Sequence, residues 1–147
     1  MFKHLLVPTD GSGLSTDAVR HAVSFAKESG ARITFFCAAK RIPAFYLGVG
    51  AIPDPGVAMQ FNDTEEAGAH EVLDDCVAIA TEAGVPSDKI ALSNDQPWQA
   101  IIEAADRAKC DLIFMASHGR RGIQALLLGS ETQKELTHST IPVLVHR

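Results

Sequence analysis

Residues 111–130, DLIFMASHGRRGIQALLLGS, hold the densest set of residue types able to do chemistry in this chain. Asp111 to Ala116 is a short apolar run that breaks into Ser117, His118 and Gly119, as a buried parallel strand does when it ends in a loop. Gly129 and Ser130 follow, then Glu131, Thr132 and Gln133; Ser130 can N-cap a helix while Gln133 reaches back to it. Small residues at 117, 119, 129 and 130 let backbone N–H groups approach a ligand, and a helix start adds roughly half a positive charge. Such a place binds anions, phosphate above all. Taken alone, Gly119 and Gly122 are more simply a surface turn and Ser130 a cap. The loop leaves the carboxyl end of a strand, where open α/β sheets bind ligands, and that favours binding.

A second polar turn follows another apolar run. Leu5, Leu6 and Val7 discharge into Pro8, Thr9, Asp10, Gly11, Ser12 and Gly13. By itself Asp10 is an Asx-turn carboxylate that bonds its own loop. Beside a triphosphate it would have to accept from a hydroxyl or coordinate Mg²⁺, which prefers one or two carboxylates plus phosphate oxygens.

These turns need a scaffold, and the patterning supplies one. Phe2–Pro8 reads as a strand, and Ser15 can cap a helix with Ala18, Val19, Ala22, Val23 and Ala26 inward and Gly30 as its stop. Arg32–Ala39, with Ile33, Thr34, Phe35 and Phe36, is the next strand. Strand, helix and strand in this span form a right-handed crossover with parallel pairing. Residues 40–63, rich in Pro and Gly, read as a long loop, either a lid that packs or a plain surface loop. The spacing predicts a helix over Thr64–Ala83 with Asp63 and Glu66 as capping partners, and a solvated face that carries most of Glu65, Glu66, Glu71, Asp74 and Asp75. Then come a strand at Lys89–Leu92, a helix after Pro97 with Trp98, Ile101, Ile102 and Ala105 inward, a helix from Ser130 to about Ser139, and a strand at Ile141–His146. The class is α/β, with five parallel strands and four helices in a single domain over residues 1–147.

Composition removes several functions. With 13 basic against 18 acidic residues and a net charge of −5, there is no electrostatic case for nucleic acid or an anionic membrane. No stretch approaches the roughly 20 apolar residues that span a bilayer, and Met1–Pro8 is too short for a signal-peptide core. Cys37, Cys76 and Cys110 are odd in number and lack CxxC spacing, and the histidines lack ligand spacing, so buried thiols in a reducing cytoplasm fit better than disulfides or zinc.

Residues 116–130 resemble the nucleotide-binding signature of the universal stress protein family: a glycine, two residues, a glycine, nine residues, then Gly and Ser or Thr. Gly119, the nine residues Arg120–Leu128, Gly129 and Ser130 match, while Ala116 stands at the first glycine and its methyl either narrows the site or tilts the ligand. VPTDGS near the start and HSTIPVLVHR at the end extend the resemblance to nearly the whole chain. It implies an adenine nucleotide α-hydrolase-like sheet of order 3-2-1-4-5 with helices on both faces, which sets the turns after the first and fourth strands beside one crevice. It implies that Pro8, Thr9 and Asp10 line one wall, with Asp10 also the metal ligand where Mg²⁺ is present. The Ala38 backbone would meet the adenine edge. Ser117, His118, Gly119, Gly129 and Ser130 would hold ribose and phosphates, with Met115 and Ala116 beneath. A further departure is Asp95, where relatives often carry glycine. The function implied is ATP binding by a stress-response regulator that pairs as a homodimer through residues 142–146. The alternatives are a nucleotide-free dimeric module and a slow Mg²⁺-dependent ATPase. His118, Arg120 and Arg121 are the only local candidates for catalysis and no Walker-type GKS or GKT is present, so binding ranks above turnover.

Overall fold

Alternation along the strands decides which helices each sheet face receives. In the computed structural model, which describes residues 1–39, 55–93, 96–117 and 130–147, five strands lie side by side. They are β1 (His4–Pro8), β2 (Arg32–Ala39), β3 (Ser87–Ser93), β4 (Leu112–Ala116) and β5 (Val143–His146). Every neighbouring pair is parallel and the order is β3-β2-β1-β4-β5. The expectations for Asp95, His118, Gly119, Arg120, Arg121 and Gly129 lie outside the described residues, as does the first part, residues 40–54, of the loop expected over residues 40–63, whose remainder is helical.

Four helices complete the described part: α1 (Gly13–Ser29), α2 (Pro55–Glu82), α3 (Pro97–Ala108) and α4 (Ser130–His138). Leu5, Val7, Ile33, Phe35, Leu112 and Phe114 share one face and bury themselves against α1 and α2. Leu6, Phe36, Ile113 and Met115 point the other way and pack with Ala100, Ile101 and Ala104 of α3. All five residues of β4 are buried, so it reads as one apolar run. Each large side chain so removed from water contributes roughly 1.5–3 kcal/mol.

Two helix starts differ from expectation. The N-cap of α1 is Ser12, whose side chain accepts from the Ser15 amide at 3.3 Å, whereas Ser15 lies inside the helix and is buried. Ser15 belongs to the same stripe as Ala18, Val19, Ala22, Val23 and Ala26, so its place is the helix's inner face. The helix expected from Thr64 begins at Pro55 instead, and Asp63 and Glu66 are interior positions rather than caps. Proline is compatible with a first helical turn because its missing N–H has no partner there. Ala58, Asn62, Glu65, Ala69, Val72, Leu73 and Cys76 keep helical spacing on the less exposed side. Val57, Met59 and Phe61 lie off that stripe and are exposed, which hides the period in the sequence.

Candidate functional site

The turn after β1 is built by its own side chains. The Thr9 amide donates to the Phe36 carbonyl at 2.8 Å, which fixes the tip of β1 against β2. Gly11 has φ of 77°, a conformation open to glycine at little cost. Its amide donates to Thr9 Oγ1 at 3.2 Å, and the Ser12 amide donates to Asp10 Oδ1 at 2.9 Å, closing an Asx turn. Ser15 Oγ accepts from the Asp10 amide at 3.2 Å and donates to Thr9 Oγ1 at 2.8 Å. Thr9 and Ser15 are both buried, so the turn has an internal polar pin.

The tip of β4 is fixed from two sides. The Ser117 amide donates to the His146 carbonyl at 2.8 Å, and the Thr132 hydroxyl of α4 lies 3.3 Å from the Ala116 carbonyl and 3.1 Å from that of Ser117. The ring of His146 stacks on His21 of α1 with centroids 4.3 Å apart. The paired registers Leu5↔Leu112 and Leu6↔Ile113 make β1 and β4 direct neighbours, so both tips lie at the same edge of adjacent strands.

Pro8, Thr9, Asp10, Met115, Ala116 and Ser117 are therefore brought to the carboxyl ends of β1 and β4, with Ser130 at the first residue of α4. Ala38 sits near the end of β2, opposite Leu92. Met115, Ala116 and Ser117 are all buried. His118, Gly119 and Gly129 are outside the described residues.

The supporting residues were harder to foresee. Ser15 could have been found as a member of the buried stripe of α1. Glu131 accepts from the Trp98 amide at 3.1 Å, an acceptor from α4 at the start of α3, where Gln96 makes no side-chain cap. Trp98 is only partly buried and stacks on His138, centroids 4.4 Å apart. Glu135 has no exposed surface, and neither carboxyl oxygen has a hydrogen-bond partner among the described residues. Burial, with Glu131 adding to it, pushes that carboxyl up to about 8.

Elsewhere the titratable groups are structural. Burial, then the neighbouring Cys37, pushes the Cys76 thiol up to about 11, and burial takes Cys110 to about 12, so both are protonated and unreactive near neutrality. At the opposite end of the sheet, burial would raise the Asp111 carboxyl, but the amides of His4 and Lys3 donate to it at 2.9 and 2.8 Å and hold it below its ordinary value. Burial, reinforced by Arg32, lowers His4. Among the described residues no three His, Cys, Asp or Glu side chains converge to hold a metal ion, and no helix is long and apolar enough to cross a membrane.

In open, doubly wound α/β sheets ligands bind outside the carboxyl ends of the strands, and here polar residues stand at the carboxyl ends of the neighbouring strands β1 and β4. The chain belongs to the universal stress protein family, whose model matches residues 1–147. It is 33% identical to the universal stress protein in the QAH/OAS sulfhydrylase 3′ region of Thermus aquaticus, over all of both chains. It is 30% identical to universal stress protein MJ0531 of Methanocaldococcus jannaschii, over 99% of this chain and 82% of that one. Among solved structures, hypothetical protein MJ0577 superposes with a TM-score of 0.82 at 23% identity, covering 99% of this chain and 95% of that chain. A universal stress protein in complex with cAMP gives 0.72 at 24% identity over 99% and 97% of the two chains. The universal stress protein of Archaeoglobus fulgidus in complex with dAMP gives 0.69 at 17% identity over 100% and 98%. These structures share the fold, the adenine nucleotide α-hydrolase-like sheet.

Proposed function

We propose that this protein binds an adenine nucleotide, ATP in the first instance, in the crevice between the tips of β1 and β4, and acts as a cytoplasmic stress-response regulator in the form of a homodimer. The observation that carries this is the adjacency of β1 and β4, which sets a side-chain-built turn and a fixed strand tip beside one another at the ligand-binding edge of an open α/β sheet. Family membership supports it, as do the structural relatives solved with cAMP and dAMP.

In this reading Pro8, Thr9 and Asp10 form one wall and the Ala38 backbone meets the adenine edge. Ser117 and Ser130, with His118, Gly119 and Gly129, serve ribose and phosphates over Met115 and Ala116. Asp10 offers one carboxylate with an oxygen already engaged by the Ser12 amide. That fits Mg²⁺ only where phosphate oxygens and water complete the octahedron. Mg²⁺ would then neutralise phosphate charge next to Asp10, whose carboxylate would otherwise repel it. Pairing through β5 is supported by its place at the edge of the sheet.

Mass spectrometry of the purified protein after gentle denaturation tests the reading, followed by calorimetric titration with ATP and Mg²⁺, and with AMP. Co-released or titratable adenine nucleotide is expected; a protein that arrives empty and ignores each added nucleotide overturns it.

A further inference from the structure

We propose that the protonated side chain of Glu135 is a latch that keeps α4 docked on the sheet, and that its ionisation loosens the Thr132 clamp on the tip of β4, so that the site beside that tip opens as the proton leaves. The inference rests on the nucleotide-binding reading for its functional consequence, while the latch itself stands on the geometry of α4.

That geometry has three parts. Thr132 and Glu135 are one turn apart and are the two buried residues of an otherwise polar helix. Thr132 holds the carbonyls of Ala116 and Ser117, so any movement of α4 is felt where β4 ends. Glu135 sits fully out of water with neither oxygen satisfied by a described residue, an arrangement tolerable for a neutral carboxylic acid and costly for a carboxylate. Ionisation there favours exposure of the group to solvent, and in the latch that exposure comes by displacement of the nine-residue helix that carries it.

The surroundings keep the proton on Glu135 around neutrality. Burial is the main cause of its raised value of about 8, and Glu131 is the charged neighbour that adds to it. Lys134 on the same helix pairs with Glu131 at 3.3 Å. His138, also on α4, stacks on Trp98. Of the elements packed on α4, α3 carries Glu103, Asp106 and Arg107, with Glu103 and Arg107 paired at 2.8 Å, and β5 carries His146, stacked on His21. Among the described residues no cation is a cause acting on Glu135, so there the proton is its counterpart.

The chain has its own reporter. Trp98 is its one tryptophan and its ring lies against His138 of α4. Emission of Trp98 should step between pH 6 and 10 with a one-proton midpoint near 8, at a pH where far-ultraviolet circular dichroism still shows a folded protein. In Glu135→Gln, or in Glu135→Met should the amide fold poorly, the step should vanish; a step arising from His138 alone survives both changes and overturns the proposal, as does flat emission in the unaltered protein. AMP, whose phosphate is dianionic throughout pH 7.5–9.5, reads the functional arm. Its affinity should fall at least fivefold across that range in the unaltered protein and stay level in Glu135→Gln. Thr132→Val should weaken AMP at every pH and flatten the profile. An emission step with level AMP affinity disproves the coupling to the site. A protein that binds no adenine nucleotide at any pH sinks the nucleotide reading alone, and the emission titration then decides the latch.

Discussion

Ser15 Oγ donates to Thr9 Oγ1 at 2.8 Å, and through that contact the first turn of α1 helps to shape the tip of β1. The same oxygen accepts from the Asp10 amide, so Ser15→Ala takes a partner from both sides of the turn. A buried polar group left without its partner costs about 1–3 kcal/mol. Ser15→Ala should therefore lower stability by about that much in urea denaturation and weaken nucleotide binding several-fold in calorimetry. Unchanged affinity would mean that the turn does not shape the pocket.

Ala116 pairs with His146 at the end of β4 and is buried, so its methyl sits among fixed neighbours. Ala116→Gly removes that methyl and should tighten nucleotide binding several-fold, while the freer backbone costs roughly 0.5–1 kcal/mol of stability. Ala116→Val adds bulk at the same point and should weaken binding. If both variants bind as the unaltered protein does, position 116 does not face the ligand.

β5 bonds to β4 through the carbonyls of Pro142 and His146, so the backbone groups of Val143 and Val145 point to the outer edge. Val145→Pro deletes one outward N–H and leaves the inner ladder intact, and proline is tolerated on such an edge. Sedimentation velocity should find this variant monomeric and the unaltered chain dimeric. A dimer that survives the substitution pairs through some other surface.

Asp111 joins the start of β4 to the start of β1 by accepting from the amides of Lys3 and His4. Its carboxyl is held below the ordinary value, so the folded chain binds this proton less readily than the unfolded chain does. The stability it confers is present above the ordinary carboxylate value and is lost as pH falls through the lower, folded one. Asp111→Asn should cost about 1–2 kcal/mol near neutrality, since these charge-assisted bonds are partly exposed, and should flatten the acid limb of the stability curve. An acid limb of unchanged steepness in the variant would remove Asp111 from that role.

The strands were legible because burial on both faces demands uninterrupted apolar runs, and LIFMA in β4 is one. The polar residues that end β1 and β4 were visible as breaks after such runs. Strand order was not: nothing local in LLVP or LIFMA encodes that they pair, and the order came from the family resemblance. The start of α2 was hidden by three exposed apolar residues, Val57, Met59 and Phe61, which break the period that Ala58 and Ala69 keep. Glu135 was illegible for a related reason. In SETQKELTH every side chain but Leu136 is polar or charged, so only tertiary packing tells which of them is enclosed.

Enclosure of Glu135 also sets how the whole fold responds to pH. Between the ordinary glutamate value near 4.5 and its folded value of about 8, the folded chain holds this proton and the unfolded chain has released it. More protons on the folded side means that stability falls as pH rises. The contribution is complete below about 4.5, shrinks by at most about 1.4 kcal/mol per pH unit, and is gone above about 8. Glu135→Met replaces the carboxyl with an apolar group of similar reach, so it should remove that slope and raise stability at pH 8.5 by about 1–3 kcal/mol. Guanidinium midpoints for both proteins from pH 5 to 9 read the difference directly. Parallel curves would show that Glu135 gives up its proton as readily in the folded chain as in the unfolded one, and that its carboxyl finds water.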